Sequence, residues 1–150
     1  MQNLFNQKDT QEIITRINQL TKDSQPNWGK MSVDQMLAHC NVTYDKAYTD
    51  KYPKPGAFKK FMLKLFVKSA VVNEKPYSKN GRTAPEYIII GDKDFEKEKQ
   101  ELIDNINKTQ QLGSAHFEGK EYHSFGTLTA EEWNNTFAKH LEHHLEQFRV

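Results

Sequence analysis

The 150-residue sequence is most informative first in what it has little of. One cysteine, Cys40, excludes an internal disulfide and any cysteine-only zinc site. No run approaches the roughly 18 apolar residues of a membrane-spanning helix. The first residues, Met1 to Gln11, are polar, so no secretory signal is expected. Charge of one sign is missing as well: 21 Lys and Arg stand against 20 Asp and Glu. That balance argues against a nucleic-acid binder, which shows a basic excess. These absences lead to the expectation of a cytoplasmic, single-domain protein over residues 1–150 that engages neither nucleic acid nor a membrane.

What is present is aromatic and helical. Nine Phe, six Tyr and two Trp offset a hydrophobic fraction of 36%, because each aromatic ring buries a large area. Asp9, with Glu12 three residues on and Ile13, Ile14, Ile17 and Leu20 following, predicts a first helix over about 10–22. Pro26 and Gly29 punctuate the next stretch. Ser32 and Gln35 form a second capping signal, with Met31 and Met36 as its staple, and helical spacing runs to about Thr49. Phe58, Phe61, Met62, Leu65 and Phe66, interleaved with lysines, read as a shorter helix. Its apolar residues are expected to cover the core, in preference to binding an anionic surface. Asn73 to Pro85 reads as loop, and Tyr87 to Ile90 cannot be assigned by periodicity. A charged helix is expected over about 92–110, then a Gly-containing stretch from Leu112 to Gly126. Thr129 and Glu132 cap the last helix, which carries Trp133, Phe137, Leu141, Leu145 and Phe148 on one stripe. Four long helices and a shorter one predict an all-α fold, a four-helix bundle with a short extra helix and long loops.

The chemistry concentrates in histidine. At about 100° per residue, His140 and His144 fall within roughly 40° of each other, inside the apolar stripe of the last helix. Two imidazoles one turn apart can converge on a metal, as in helical H-x-x-x-H motifs. Alternatively, each is a core histidine bonded to a neighbour, and the spacing leaves the two readings even. His143 groups with Lys139, Glu142 and Glu146 on the polar side. His39, on the second helix, flanks that helix's stripe about 120° from its centre, so spacing permits it as a third ligand without selecting it. Cys40 reads as a buried apolar residue and His116 and His123 as loop residues. Gln35 and Gln147 are candidates to orient His39 and His144, although Gln35 is explained by its cap.

Two stretches carry a resemblance. Trp28-Gly29-Lys30-Met31-Ser32-Val33-Asp34-Gln35-Met36-Leu37-Ala38-His39 resembles the start of one branch of the DinB-like (damage-inducible) superfamily. His123-Ser124-Phe125-Gly126, Leu128-Thr129, Glu131-Glu132-Trp133 and the run from Lys139 to Phe148 resemble the end of the same branch, a domain of unknown function. His123 stands before Ser124 where relatives often carry Pro. The resemblance implies a four-helix bundle binding a divalent metal, zinc or nickel, through His39, His140 and His144. It further implies a metal-dependent enzyme of the hydrolase or thiol-transferase type acting on a small molecule, with thiols among the candidates and no catalytic base assigned. The alternative is a non-catalytic metal-binding or dimerising stress protein. A homodimer is expected from exposed aromatic residues.

Overall fold

The computed structural model describes residues 1–150 and is all-α apart from one small hairpin. Six helices run α1 (Gln7–Gln19), α2 (Val33–Tyr48), α3 (Ala57–Phe66), α4 (Lys68–Val72), α5 (Phe95–Phe117) and α6 (Ala130–Gln147). A single 3-10 turn, Pro85–Tyr87, lies between α4 and α5. Strands β1 (Glu121–Tyr122) and β2 (Gly126–Thr127) pair antiparallel between α5 and α6. No helix is long and apolar enough to cross a membrane.

The four long helices, α1, α2, α5 and α6, share one core. Ile13, Ile17, Met36, Leu37, Leu102, Ile106, Phe137 and Leu141 meet inside it, and each is at most 1% exposed. Aromatic rings fill the wider gaps. Tyr44 lies flat against Phe137 at 4.9 Å between centroids, and Phe117 leans on Trp133 at 5.3 Å. Such pairs add to the area they bury.

The caps explain where helices begin. At α6, the Glu132 N–H donates to Thr129 Oγ1 and the Thr129 N–H donates to Glu132 Oε2, both at 3.1 Å, as expected. Leu128 and Trp133 are buried beside this cap. At α2 the Ser32 N–H donates to Gln35 Oε1 at 3.2 Å. The first helix departs from expectation. Its cap is Asn6, whose side chain accepts from the N–H groups of Lys8 and Asp9, so α1 starts at Gln7 rather than near residue 10. Asp9 is occupied elsewhere, accepting from the Asn3 N–H at 2.7 Å.

Five further expectations are corrected. Helix α5 continues past 110 to Phe117, with a break at Gly113, whose φ of 70° suits a residue lacking Cβ. His116 therefore sits in a helix rather than a loop. The short extra helix is two helices, α3 and α4, and α3 does not cover the core. Phe58, Phe61, Leu65 and Phe66 are all more than half exposed. Lysines of this region pair with carboxylates instead: Lys60 of α3 with Glu121 on the hairpin, Lys59 of α3 with Glu86 at 3.5 Å, and Lys68 of α4 with Glu132 at 2.8 Å. Among the residues of α3, Leu63 packs on the core. Lys139, grouped with the polar side of α6, is likewise buried.

Candidate metal centre

Helices α2 and α6 bring three imidazoles together. His39 sits in the middle of α2, where it is 5% exposed, and His140 and His144 lie one turn apart on α6. Their ring centroids are 4.8 Å (His39–His140), 4.6 Å (His39–His144) and 4.8 Å (His140–His144) apart. One nitrogen from each ring lies within 4.8 Å of the others, so the group could hold a metal ion. The choice of His39, which spacing left open, is made by the packing of α2 against α6.

The surroundings orient every ring. His39 Nδ1 donates to the Tyr87 carbonyl at 2.8 Å, and a carbonyl can only accept, which leaves Nε2 of the neutral ring with a lone pair. His140 Nδ1 is 2.9 Å from Thr43 Oγ1, and His144 Nδ1 is 2.8 Å from Gln147 Oε1. Each Nδ1 thus meets an oxygen, and the Nε2 atoms face inward. His39 Nε2 and His140 Nε2 are 2.8 Å apart, sharing a proton in a hydrogen bond. In a tetrahedral site with metal–nitrogen bonds of about 2.0–2.1 Å the same atoms would sit roughly 3.3 Å apart. Ion binding would need the His140 proton moved from Nε2 to Nδ1, where Thr43 Oγ1 can accept it, with the 2.8 Å pair widening and the widest separation, up to 4.8 Å, closing. The residues fit a divalent ion.

The partners of the ligands are themselves held. Thr43 Oγ1 lies 3.4 Å from the Tyr87 hydroxyl, so in the tautomer with the His140 proton on Nδ1, Thr43 can accept from that ring and donate onward. Gln147 Nε2 donates to the Trp28 carbonyl at 2.7 Å. Gly29 follows, with φ of +82°, and a Cβ there would come within 2.6 Å of Gln147 Nε2. The Trp-Gly pair thus frames the glutamine that aims His144. Gln35, by contrast, only caps α2 and donates to the Gly91 carbonyl at 3.2 Å.

Burial holds the three rings neutral. His144 is pushed down to about 3, chiefly by burial and then by the nearby His39. His140 is driven well below the ordinary imidazole range by burial, then by His39 and His144. His39 is lowered for the same first reason. Neutral imidazole is the form that ligates.

The remaining histidines stand apart. His143 is not on the outer surface as its helical position implied. It is half-buried between the Trp28 and Tyr77 rings, at 5.7 and 5.8 Å between centroids, because the loop between α4 and the 3-10 turn folds over that side of α6. His123, in the hairpin turn, is within 2.9 Å of Ser124 Oγ and 3.2 Å of the Tyr52 carbonyl. His116 neighbours Lys120. Cys40 is buried in the core, and burial pushes its thiol well above the ordinary cysteine range.

The residue that spacing could not have found is Tyr87. Its contribution to His39 is a backbone carbonyl, which has no side-chain signature. A cavity of about 530 Å³ opens on the histidines, walled by α2 and α6 on one side and by α3, α4 and the 77–87 segment on the other.

The chain belongs to the DUF1569 family. That family, described as a protein of unknown function, matches residues 2–150. No curated protein and no solved structure matches the chain.

Proposed function

We propose that this DUF1569 chain is a DinB-like four-helix bundle that binds a divalent metal, zinc or nickel, through His39, His140 and His144. On this reading it is a metal-dependent enzyme, of hydrolase or thiol-transferase type, acting on a small molecule. One observation carries it: three buried imidazoles each turn Nδ1 onto an oxygen, so their Nε2 atoms converge. Core histidines with a merely structural role need one polar partner each; they do not need to share a focus.

Three neutral ligands leave a divalent ion its whole charge. Bound there, it would supply Lewis acidity at an open coordination position, the arrangement of catalytic rather than structural zinc sites. The chain's own residues do the rest. The Tyr87 carbonyl and Gln147 Oε1 fix the tautomers of His39 and His144, and Thr43 orients the His140 ring. The cavity admits a small molecule to the inner side of the trio. No carboxylate is hydrogen-bonded to the three rings, and Glu86 is the one carboxylate that lines the cavity. A non-catalytic metal-binding role accounts for the three histidines but gives the cavity no purpose.

Elemental analysis of protein purified without a chelator or a nickel column tests the reading. About one equivalent of zinc or nickel is expected, falling to background in His140→Ala with the helical signal retained. Metal content that is unchanged in that variant would end the three-histidine assignment.

A further inference from the structure

The charged groups that line the cavity are unevenly matched. Lys46, Lys59 and Arg82 face it, while Glu86 is the only carboxylate there. Glu86 is already paired with Lys59 at 3.5 Å. Neither Lys46 nor Arg82 takes part in an ion pair. Lys46 is half-buried on α2, and its ammonium rests 4.4 Å above the Tyr87 ring. The same ring lies 5.3 Å from His39 and 5.7 Å from His140 between centroids. Tyr87 therefore spans the gap between the lysine and the trio.

We propose that the cavity takes a small anion, its carboxylate or similar group seated on Lys46 with Arg82 at the mouth and its other end at the three histidines. This deepens the metal-centre reading and rests on it. An ammonium without a carboxylate partner, in a partly desolvated place, is improved by an incoming anion more than a paired surface lysine is. A neutral or cationic molecule in the same place would leave Lys46 unpaired. Burial already pushes the Lys46 amine below its ordinary range, while Glu86 opposes that and Lys59 adds to it. An anion beside it would relieve this cost. The aromatic floor formed by Tyr87 gives the connecting atoms an apolar surface.

The test compares two probes with one metal-binding head. Succinate monohydroxamate and butyrohydroxamate have the same chain length, but only the first carries a terminal carboxylate. Each is titrated into the full-length chain loaded with cobalt(II), and the visible bands of the ion report binding. The expected result is about tenfold tighter binding of the succinate derivative at low ionic strength, the size of one charge-assisted contact. The preference should shrink as salt is added. It should vanish in Lys46→Gln and persist in Lys46→Arg, with butyrohydroxamate affinity unchanged in both. Equal affinities in the unmodified chain, or a preference that survives Lys46→Gln, would overturn the anion site and leave the metal centre standing. Failure of the chain to take up cobalt would overturn the metal centre, and the anion site with it.

Discussion

Between Thr49 and Asp94 no residue is buried, whereas all 36 buried residues fall in 1–48 and 95–150. The two regions are held by different physics. The four long helices exclude water from a shared apolar core. The 49–94 excursion is tied down by polar pins. Lys139 Nζ donates to the Ala70 and Asn73 carbonyls at 2.8 and 2.6 Å and to Asn73 Oδ1 at 3.0 Å. Asn135 Nδ2 donates to the Val72 carbonyl at 3.0 Å, and Asp34 accepts from the Lys93 N–H at 2.6 Å. The metal centre lies where the regions meet: its three ligands come from the core helices, and the Tyr87 carbonyl that orients His39 comes from the excursion. A rigid scaffold thus presents the chemistry, and a weakly buried segment forms the far wall of the cavity.

The sharpest way to break this contrast is a core truncation. Trp133→Ala removes a fully buried ring and should cost about 3–5 kcal/mol in chemical denaturation. A loss below about 1 kcal/mol would mean that the core does not carry the fold. Next in size is the metal. At a free concentration 100 times its dissociation constant, zinc should stabilise the native chain by about 2.7 kcal/mol. His140→Ala and His144→Ala should abolish that gain. His143→Ala should retain it, even though His143 is half-buried and its loss costs some packing. Calorimetry of the three variants with and without zinc reads the difference.

Much of the core half was legible in the sequence, because its signals are local. Thr129 with Glu132 fixes the start of α6, and from there a helical wheel places His140 and His144 together. His39 was different: on the wheel of α2 it is ambiguous, and only the packing of α2 against α6 selects it. The excursion resisted reading for a related reason. A stripe of Phe58, Phe61 and Leu65 points inward by pattern, but it faces outward, while Lys59 and Lys60 of α3 pair with Glu86 and Glu121 and Lys68 of α4 pairs with Glu132. Long-range charge pairing leaves no periodic trace. Lys139 was misread likewise, since its partners are carbonyls at the end of α4.

Lys139 gives the third test. Lys139→Met keeps the buried stem and removes three hydrogen bonds, with an expected loss of about 2 kcal/mol. Hydrogen exchange should locate that loss in residues 68–90 rather than in α1 or α5. Uniform loss across the chain would show that the excursion is part of the same cooperative unit.

The fourth test uses pH on the metal-free chain. An unfolded histidine titrates near 6.5, whereas native His144 does so at about 3 because burial disfavours its charged form. Between those values the unfolded chain binds the extra proton, so stability rises with pH and is lost as pH falls from about 6.5 towards 3. His144 alone contributes a slope of about 1.4 kcal/mol per pH unit, and His140 and His39 act in the same direction. His144→Ala should lower the slope by one proton's worth. A flat profile between pH 6 and pH 4 would place the rings in water.

The smallest expected effect lies on α3. Phe61 is 61% exposed, so Phe61→Ser withdraws little area from the folded state and should change stability by no more than about 0.5 kcal/mol. The same substitution in a buried ring such as Phe137 would cost several kcal/mol. The pair therefore measures the contrast between regions with one chemical change. Phe58, Phe61 and Leu65 lie three and four residues apart and form an apolar strip that monomeric surfaces rarely keep. If they are covered by a second copy of the chain, Phe61→Ser should destabilise the protein in a concentration-dependent manner and shift light scattering towards 17.5 kDa. If the strip faces water, stability and scattering mass should be the same at every concentration, and the homodimer expected from the exposed aromatic residues is excluded for this face.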